Sequence, residues 1–302
     1  MSKIIFRIFV DSLFDPATIS MIKDSYSSPV PDAFWDDLPA FQAFSEDQLH
    51  FNLQYYKAAS VKRRLKKILD YFQLEDLPAL QRFLEARNYG RSMLIRHFVV
   101  HYSQWFREPE SLKFICRFIE KQIRSQSKPF KIWLCGCSRG EEVLSLCICL
   151  AELQLLEHCQ ILATDIDGEI LDKDQMLKLP IDDFANAEQR YRLAGGRQSL
   201  EIHRNASADF WQVNEALLAK VELTCFDLTR DEQAPDQFDL VWCKNVLIYF
   251  TDRYHPKIAA KLYNSLKHSG ILCLGEQEFI SALPPHLHFL PLSSELKIYQ
   301  KG

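Results

Sequence analysis

Residues 132–146, IWLCGCSRGEEVLSL, decide how the chain is read. Ile132 to Cys135 form an apolar run that stops at Gly136. Gly140 follows, and from Glu141 the pattern becomes helical. A strand that ends in a glycine turn and opens a helix leaves backbone N–H groups exposed at the helix N-terminus, where α/β folds place cofactors. The spacing is neither G-x-G-x-x-G nor G-x-x-x-x-G-K-[ST], so a dinucleotide or phosphate cradle is poorly supported. Glu141 and Glu142 stand where a pyrophosphate would lie. They repel an anion and suit a ligand carrying positive charge, such as a sulfonium with an ammonium group.

Working outward, ILATD (161–165), VELTCFD (221–227), FDLVWC (238–243) and ILCLG (271–275) are further strand-like runs, several of them continuous, as in a sheet buried on both faces. Amphipathic stretches at 141–153 and 255–268 alternate with them, the second closed by Gly270. This alternation predicts a doubly wound, mainly parallel α/β domain. Polar residues fall at the strand ends. Asp165 lies 29 residues after Gly136 and suits ribose hydroxyls, whereas Asp167 fits better as a helix cap. Asp227 is placed to reach an adenine edge, and Lys244 with Asn245 follows another strand. Residues 176–220 break the rhythm. RYRLA and SLEIHR around Gly195-Gly196 read as a hairpin, within an inserted small β-subdomain at about 185–222.

The first 100 residues differ. Val61, Leu65, Ile68 and Phe72 mark one face of a helix, with Lys62, Arg63, Arg64, Lys66 and Lys67 on its other faces. Asp76 and Pro78 read as an N-cap and a first-turn proline. Residues 1–50 pattern more weakly, broken by four prolines. The expected layout is a small all-helical domain at 1–100 and an α/β domain at 101–302. Residues 51–100 hold 10 basic against 4 acidic side chains, while residues 1–50 hold 3 against 8. The basic stripe is either a solvated face or a docking surface for an acidic partner.

Composition sets the outer bounds. The 302 residues are 47% hydrophobic and 25% charged, enough for a sizeable core, with a net charge of −4 that argues against a general nucleic-acid binder. No apolar run approaches the roughly 18–20 residues of a membrane span, and the N-terminus lacks a signal-peptide pattern, so no membrane insertion and a cytoplasmic location are expected. The nine cysteines, an odd count mostly inside apolar runs, suit buried thiols better than disulfides or a metal site, and no metal is expected.

The set WFRE, GCSRGEE, ATDID, FDLVWCKNVLIYF and LGEQE resembles the CheR-type chemoreceptor glutamate methyltransferases, collinearly from about residue 55 to 280. The resemblance implies a class I S-adenosylmethionine methyltransferase domain, Rossmann-like, with the β-subdomain inserted and the helical domain in front. It implies S-adenosylmethionine as methyl donor, S-adenosylhomocysteine as product, and the cytoplasmic domains of methyl-accepting receptors as partners, met at membrane receptor arrays. His101 and Ser103 would contact the cofactor. Glu142 would hold its ammonium, Asp165 its ribose, Asp227 and Leu228 its adenine, and Lys244 and Asn245 would line its sulfonium end. Arg107 and Tyr249 would stand near the transferred methyl. On the residues alone, Arg107 either orients a substrate carboxylate or pairs with Glu108 or Glu110. Tyr249 is either a donor or a packed aromatic.

Several positions depart from the family pattern. His101 stands for Asn, Ser103 for Thr, Val143-Leu144 for Pro-Tyr, Lys244 for Arg, and Glu276-Gln277 for a His-Ser-like pair before Glu278. Arg139 replaces a small Thr and either crowds the sulfonium or turns outward to pair with Glu141. These departures leave two alternatives beside receptor methylation: an S-adenosylmethionine-binding regulator without turnover, and a methyltransferase for a different carboxylate.

Overall fold

Seven strands form one sheet in the order β3-β2-β1-β4-β5-β7-β6. The computed structural model describes residues 32–125, 128–181, 183–204, 212–231, 236–280 and 287–302; the reading of residues 1–31 lies outside them. The chain divides into two compact units at Pro39/Ala40. The described part of the first holds the 3₁₀ turn Asp32–Trp35 and the opening of helix α1 (Leu38–Asp47).

All five apolar runs are strands, and they lie parallel: β1 (Phe130–Cys135), β2 (Cys159–Asp165), β3 (Val221–Cys225), β4 (Phe238–Cys243) and β5 (Leu266–Leu274). β1 and β4 are almost wholly buried because helices cover both faces, whereas edge strand β3 is half exposed. β6 (Phe289–Ser293) and β7 (Ile298–Lys301) close the sheet as an antiparallel pair on β5. The parallel register sets Cys135 beside Thr164, Asp165 beside Cys225 and Leu134 beside Trp242, so the carboxyl ends of four strands share one edge.

Helices α2 (Ala58–Phe72), α3 (Leu77–Glu85) and α4 (Gly90–Phe98) precede the sheet. Asp76 caps α3 by accepting from Ala79 N at 2.7 Å, with Pro78 in the first turn as read from sequence. Then come α5 (Pro109–Ile123), α6 (Glu141–Glu152), α7 (Lys173–Met176), α8 (Phe184–Leu193) and α9 (His255–Asn264). No described helix is long and apolar enough to cross a membrane. All nine cysteines are unpaired thiols, eight of them buried.

Two local readings are corrected. RYRLA is not a hairpin strand but the last turn of α8 and its cap, and SLEIHR carries the 3₁₀ turn Leu200–His203. Tyr191 faces inward at helical spacing from Ala187 and its hydroxyl donates to Glu152, so packing against α6 wins over the alternation. Among the described residues of 185–220 the extended pairing is a single bridge, Arg204 with Val213. Gly270 does not close α9, which ends at Asn264; it lies inside β5, where a Cβ would come 3.0 Å from Phe238 O.

Candidate active site

Gly136 ends β1 with φ +70°, and a Cβ there would meet Val246 at 2.5 Å, so the turn needs glycine both for its backbone and for the close approach of the β4 loop. Above the shared strand edge lies a cavity of about 900 Å³, counting its open mouth. His101, Ser103, Arg107, Glu142, Asp165, Asp227, Leu228, Lys244, Asn245 and Tyr249 all line it. They come from the ends of β2, β3 and β4, the first turn of α6 and the segment joining α4 to α5.

Carboxylates line the cavity. Asp165 Oδ2 accepts from Ser138 N at 2.8 Å and Oδ1 from Asp167 N at 3.1 Å; burial pushes its carboxyl up against those two bonds. Asp167 caps the turn Gly168–Ile170, as its spacing suggested, and lies 3.2 Å from His101 Nε2 and 3.6 Å from Arg96 Nε. Burial works against the ionised form of Asp167, but His101 and Arg96 prevail and hold its carboxyl below the ordinary range. Asp227 accepts from Thr229 N and Oγ1 at 2.8 and 2.6 Å, and Arg91 Nη2 stands 3.5 Å away. Burial raises the Glu142 carboxyl, with Lys244 at 3.6 Å pulling the other way.

Three buried oxygens of the lining make no hydrogen bond among the described residues: Ser138 Oγ, Glu142 Oε1 and Asp227 Oδ2, the last two with only a cation at 3.6 and 3.5 Å. Buried polar groups are normally satisfied, so unsatisfied ones facing a cavity indicate a ligand rich in donors. The ammonium, ribose hydroxyls and adenine of S-adenosylmethionine fit these acceptors. Arg139, the departure closest to the turn, does not line the cavity: its Nη2 lies 2.6 Å from Glu141 Oε1. Arg139→Thr should therefore leave the dissociation constant for S-adenosylhomocysteine within about threefold by calorimetry; a larger change in either direction would show that the guanidinium reaches the ligand.

Cations line the same cavity. Arg107 Nη2 donates to Asn245 Oδ1 at 2.7 Å, and Arg107 Nε lies 3.9 Å from Glu108. Of the alternatives read for Arg107, the pairing with Glu108 is present at this distance. Lys244, its side chain fully buried, lies 3.1 Å from Glu108 Oε2 and 3.3 Å from Arg107 O. Burial alone would lower its ammonium, but Glu142 and Glu108 hold it above the ordinary lysine range. The Tyr249 phenol is pushed up by burial, against Arg64 and Arg107, and its ring packs under the Arg64 guanidinium.

Arg64 is where sequence and structure part most clearly. Read as part of the exposed basic stripe, it is 7% exposed and lines the cavity. It lies three residues after Val61 and four before Ile68, on the inward face of α2. Its guanidinium donates to Phe98 O and sits 5.3 Å from the ring centroids of both Phe98 and Tyr249. Arg63 and Lys67 are exposed, and Lys62 and Lys66 are half-buried.

Backbone strain gathers here too. Phe106 and Glu108, on either side of Arg107, have φ +51°, Ser138 has +51° and Asn245 +60°. Left-handed non-glycine residues are uncommon, and such outliers concentrate at functional sites. Phe106 is held by its N–H to Ser145 Oγ at 2.8 Å, and the preceding residue by Trp105 Nε1 to Pro180 O at 3.0 Å.

Comparison with known proteins agrees with this geometry. The chain matches the family model described as CheR methyltransferase, SAM binding domain, over residues 101–295. It is 31% identical over 253 residues to the Cher3 protein of Pseudomonas putida, covering 83% of this chain and 92% of that one. It is 27% identical over 271 residues to chemotaxis protein methyltransferase 1 of Pseudomonas aeruginosa, covering 85% and 95%. It is 28% identical over 260 residues to the chemotaxis protein methyltransferase of Borreliella burgdorferi, covering 81% and 88%.

Proposed function

The chain belongs to the CheR methyltransferase family, and on that premise we propose that it esterifies glutamate side chains on the cytoplasmic domains of chemoreceptors. The observation that carries this reading is that one cavity is lined both by the carboxylates Glu142, Asp165 and Asp227, which suit a cationic donor, and by Arg64 and Arg107 with Tyr249, which suit an anionic acceptor. A neutral or cationic acceptor, such as an amine, would meet two guanidiniums.

Glu142 would hold the ammonium of S-adenosylmethionine, Asp165 its ribose, and Asp227 with Leu228 its adenine side. His101, Ser103, Lys244 and Asn245 would complete the wall. Bound there, the cofactor supplies an electrophilic sulfonium methyl group. A glutamate is already ionised at neutral pH, so the protein needs no general base. Its task is alignment and exclusion of water. Arg107 receives the carboxylate with its planar fork, Tyr249 donates to one oxygen, and Arg64 adds positive charge behind the Tyr249 ring. As an acceptor oxygen takes the methyl, its negative charge disappears, and the ester no longer pairs with the guanidinium. That favours release.

Residues 51–72 lie against the loop that carries Tyr249: Lys57 N donates to Tyr249 O at 3.3 Å, Thr251 N to Tyr55 O at 2.8 Å, and the Tyr55 and Tyr254 rings stack at 3.9 Å. A receptor helix docked on the outer face of α2, through Lys62, Arg63, Lys66 and Lys67, would thus lie beside the cavity. Reversing Arg63 and Lys67 to glutamate should raise the acceptor KM roughly tenfold at low salt, with kcat nearly unchanged and the difference shrinking as salt is added. An unchanged KM would remove these residues from the docking surface.

The test of the function uses radiolabelled S-adenosylmethionine with membranes containing the cognate receptors, scored by base-labile release of volatile methanol. Release is expected. Cofactor binding without release would favour a different carboxylate acceptor or a regulator.

A further inference from the structure

The last motif, LGEQE, has no role in the cavity wall, yet its Glu278 is among the most buried carboxylates of the chain, at 2% exposure. Among the described residues, no side-chain cation pairs with it. Its two oxygens instead accept four backbone N–H groups. Oε2 takes Asn245 N at 2.7 Å and Gly275 N at 2.7 Å, while Oε1 takes Leu247 N at 2.6 Å and Ile248 N at 3.3 Å. Three of these amides belong to the loop between β4 and Tyr249. That loop begins with Asn245 in the left-handed region, whose side chain accepts from Arg107. The carboxylate can come this close only because residue 275 is glycine: a Cβ there would lie 2.9 Å from Glu278 Oε2 and 3.0 Å from Asn245 N.

We propose that Glu278 is a positioning residue that fixes the 245–249 loop, and through it the Arg107–Asn245 contact and Tyr249, in the geometry needed for methyl transfer. This deepens the proposed function and rests on it for its kinetic consequence. A carboxylate offers acceptors on both oxygens, and four amides need both. Glutamine keeps the shape but turns an NH2 group toward one pair of N–H donors, so the loop must move. A displacement of about an ångström at a site of this kind lowers turnover by about a hundredfold.

Glu278→Gln is expected to lower kcat by about a hundredfold while S-adenosylhomocysteine affinity stays within about threefold. Hydrogen exchange at the amides of Asn245, Leu247 and Gly275 should speed up, because their acceptor is compromised. Gly275→Ala, which displaces the same carboxylate without removing it, should reproduce the kcat loss, and Glu278→Asp should recover less than wild-type turnover. Two results would overturn the proposal. One is kcat within threefold of wild type in Glu278→Gln. The other is a kcat loss matched by an equal loss of cofactor affinity and melting temperature, which marks a merely structural role. If the wild-type chain methylates no carboxylate acceptor, the proposed function falls instead. The exchange measurement still decides for Glu278, since unchanged protection at Asn245 and Leu247 overturns its positioning role.

Discussion

Arg107→Ala should abolish methyl transfer to within the background of the assay, a loss of about a thousandfold or more. The guanidinium is expected to supply two charge-assisted hydrogen bonds to the acceptor carboxylate, each contributing about 1.5–3 kcal/mol. Losing both at the reacting centre lowers kcat/KM by two to four powers of ten. The same change leaves the carboxylates of the cavity intact, so S-adenosylhomocysteine should still bind, with affinity within about tenfold of wild type. Arg107→Lys keeps the charge but not the fork and should recover only a small part of the activity. The measurement is methanol release alongside calorimetry on the same preparation. Normal turnover in the alanine variant would remove Arg107 from the reaction; loss of binding together with turnover would make it a cofactor ligand.

The second large effect falls on stability. Lys244 neutralises Glu108 and Glu142 at 3.1 and 3.6 Å from a fully buried side chain, so Lys244→Ala leaves two carboxylates facing each other without their cation. Breaking a buried pair by removing one partner costs about 3–5 kcal/mol. In a chain of this size that lowers the melting temperature by roughly 10 °C. The pH dependence has a definite sign. Because the folded protein holds the ammonium above the ordinary lysine range, its contribution is fully present below that range and is lost as pH rises through the raised value. The wild type should therefore lose its advantage over Lys244→Ala only in strong alkali. Lys244→Met combined with Glu108→Gln should recover part of the loss, since one of the two carboxylates then disappears with the cation and only Glu142 remains. A melting temperature within 2 °C of wild type for Lys244→Ala would mean that water already screens the cluster.

The parallel strands were legible as short apolar runs alternating with helices, several of them continuous because the sheet is buried on both faces, while β3, half exposed at the edge, keeps Glu222 and Thr224 in its run. The same logic found the four strand ends, and a parallel sheet necessarily delivers those ends to one edge. β6 and β7 escaped detection: FLPLS carries a proline and lies largely exposed, and IYQK is only four residues long. RYRLA misled because glycines after it suggested a turn between strands, while its inward Tyr191 is set by a partner on α6, 39 residues away. Arg64 misled for a different reason. An arginine in a run of cations looks solvated, and only tertiary packing shows that the apolar face of α2 includes it. Glu278 was visible as part of a motif but not as a device, because its partners are backbone amides and backbone amides have no sequence signature.

The left-handed residues around the cavity have a consequence for anyone who would harden this protein. Phe106, Glu108, Ser138 and Asn245 each hold a backbone conformation that disfavours the fold by about 1–3 kcal/mol. A selection for heat resistance meets these positions, because glycine relieves the strain at Ser138, while at Glu108 it would also remove a carboxylate partner of buried Lys244. Those are also the positions that aim Arg107 and present the amide to Asp165. Thermostability and turnover in this chain are therefore set against each other at a few identifiable dihedral angles. Improving both requires gains made elsewhere, in helices remote from the strand ends.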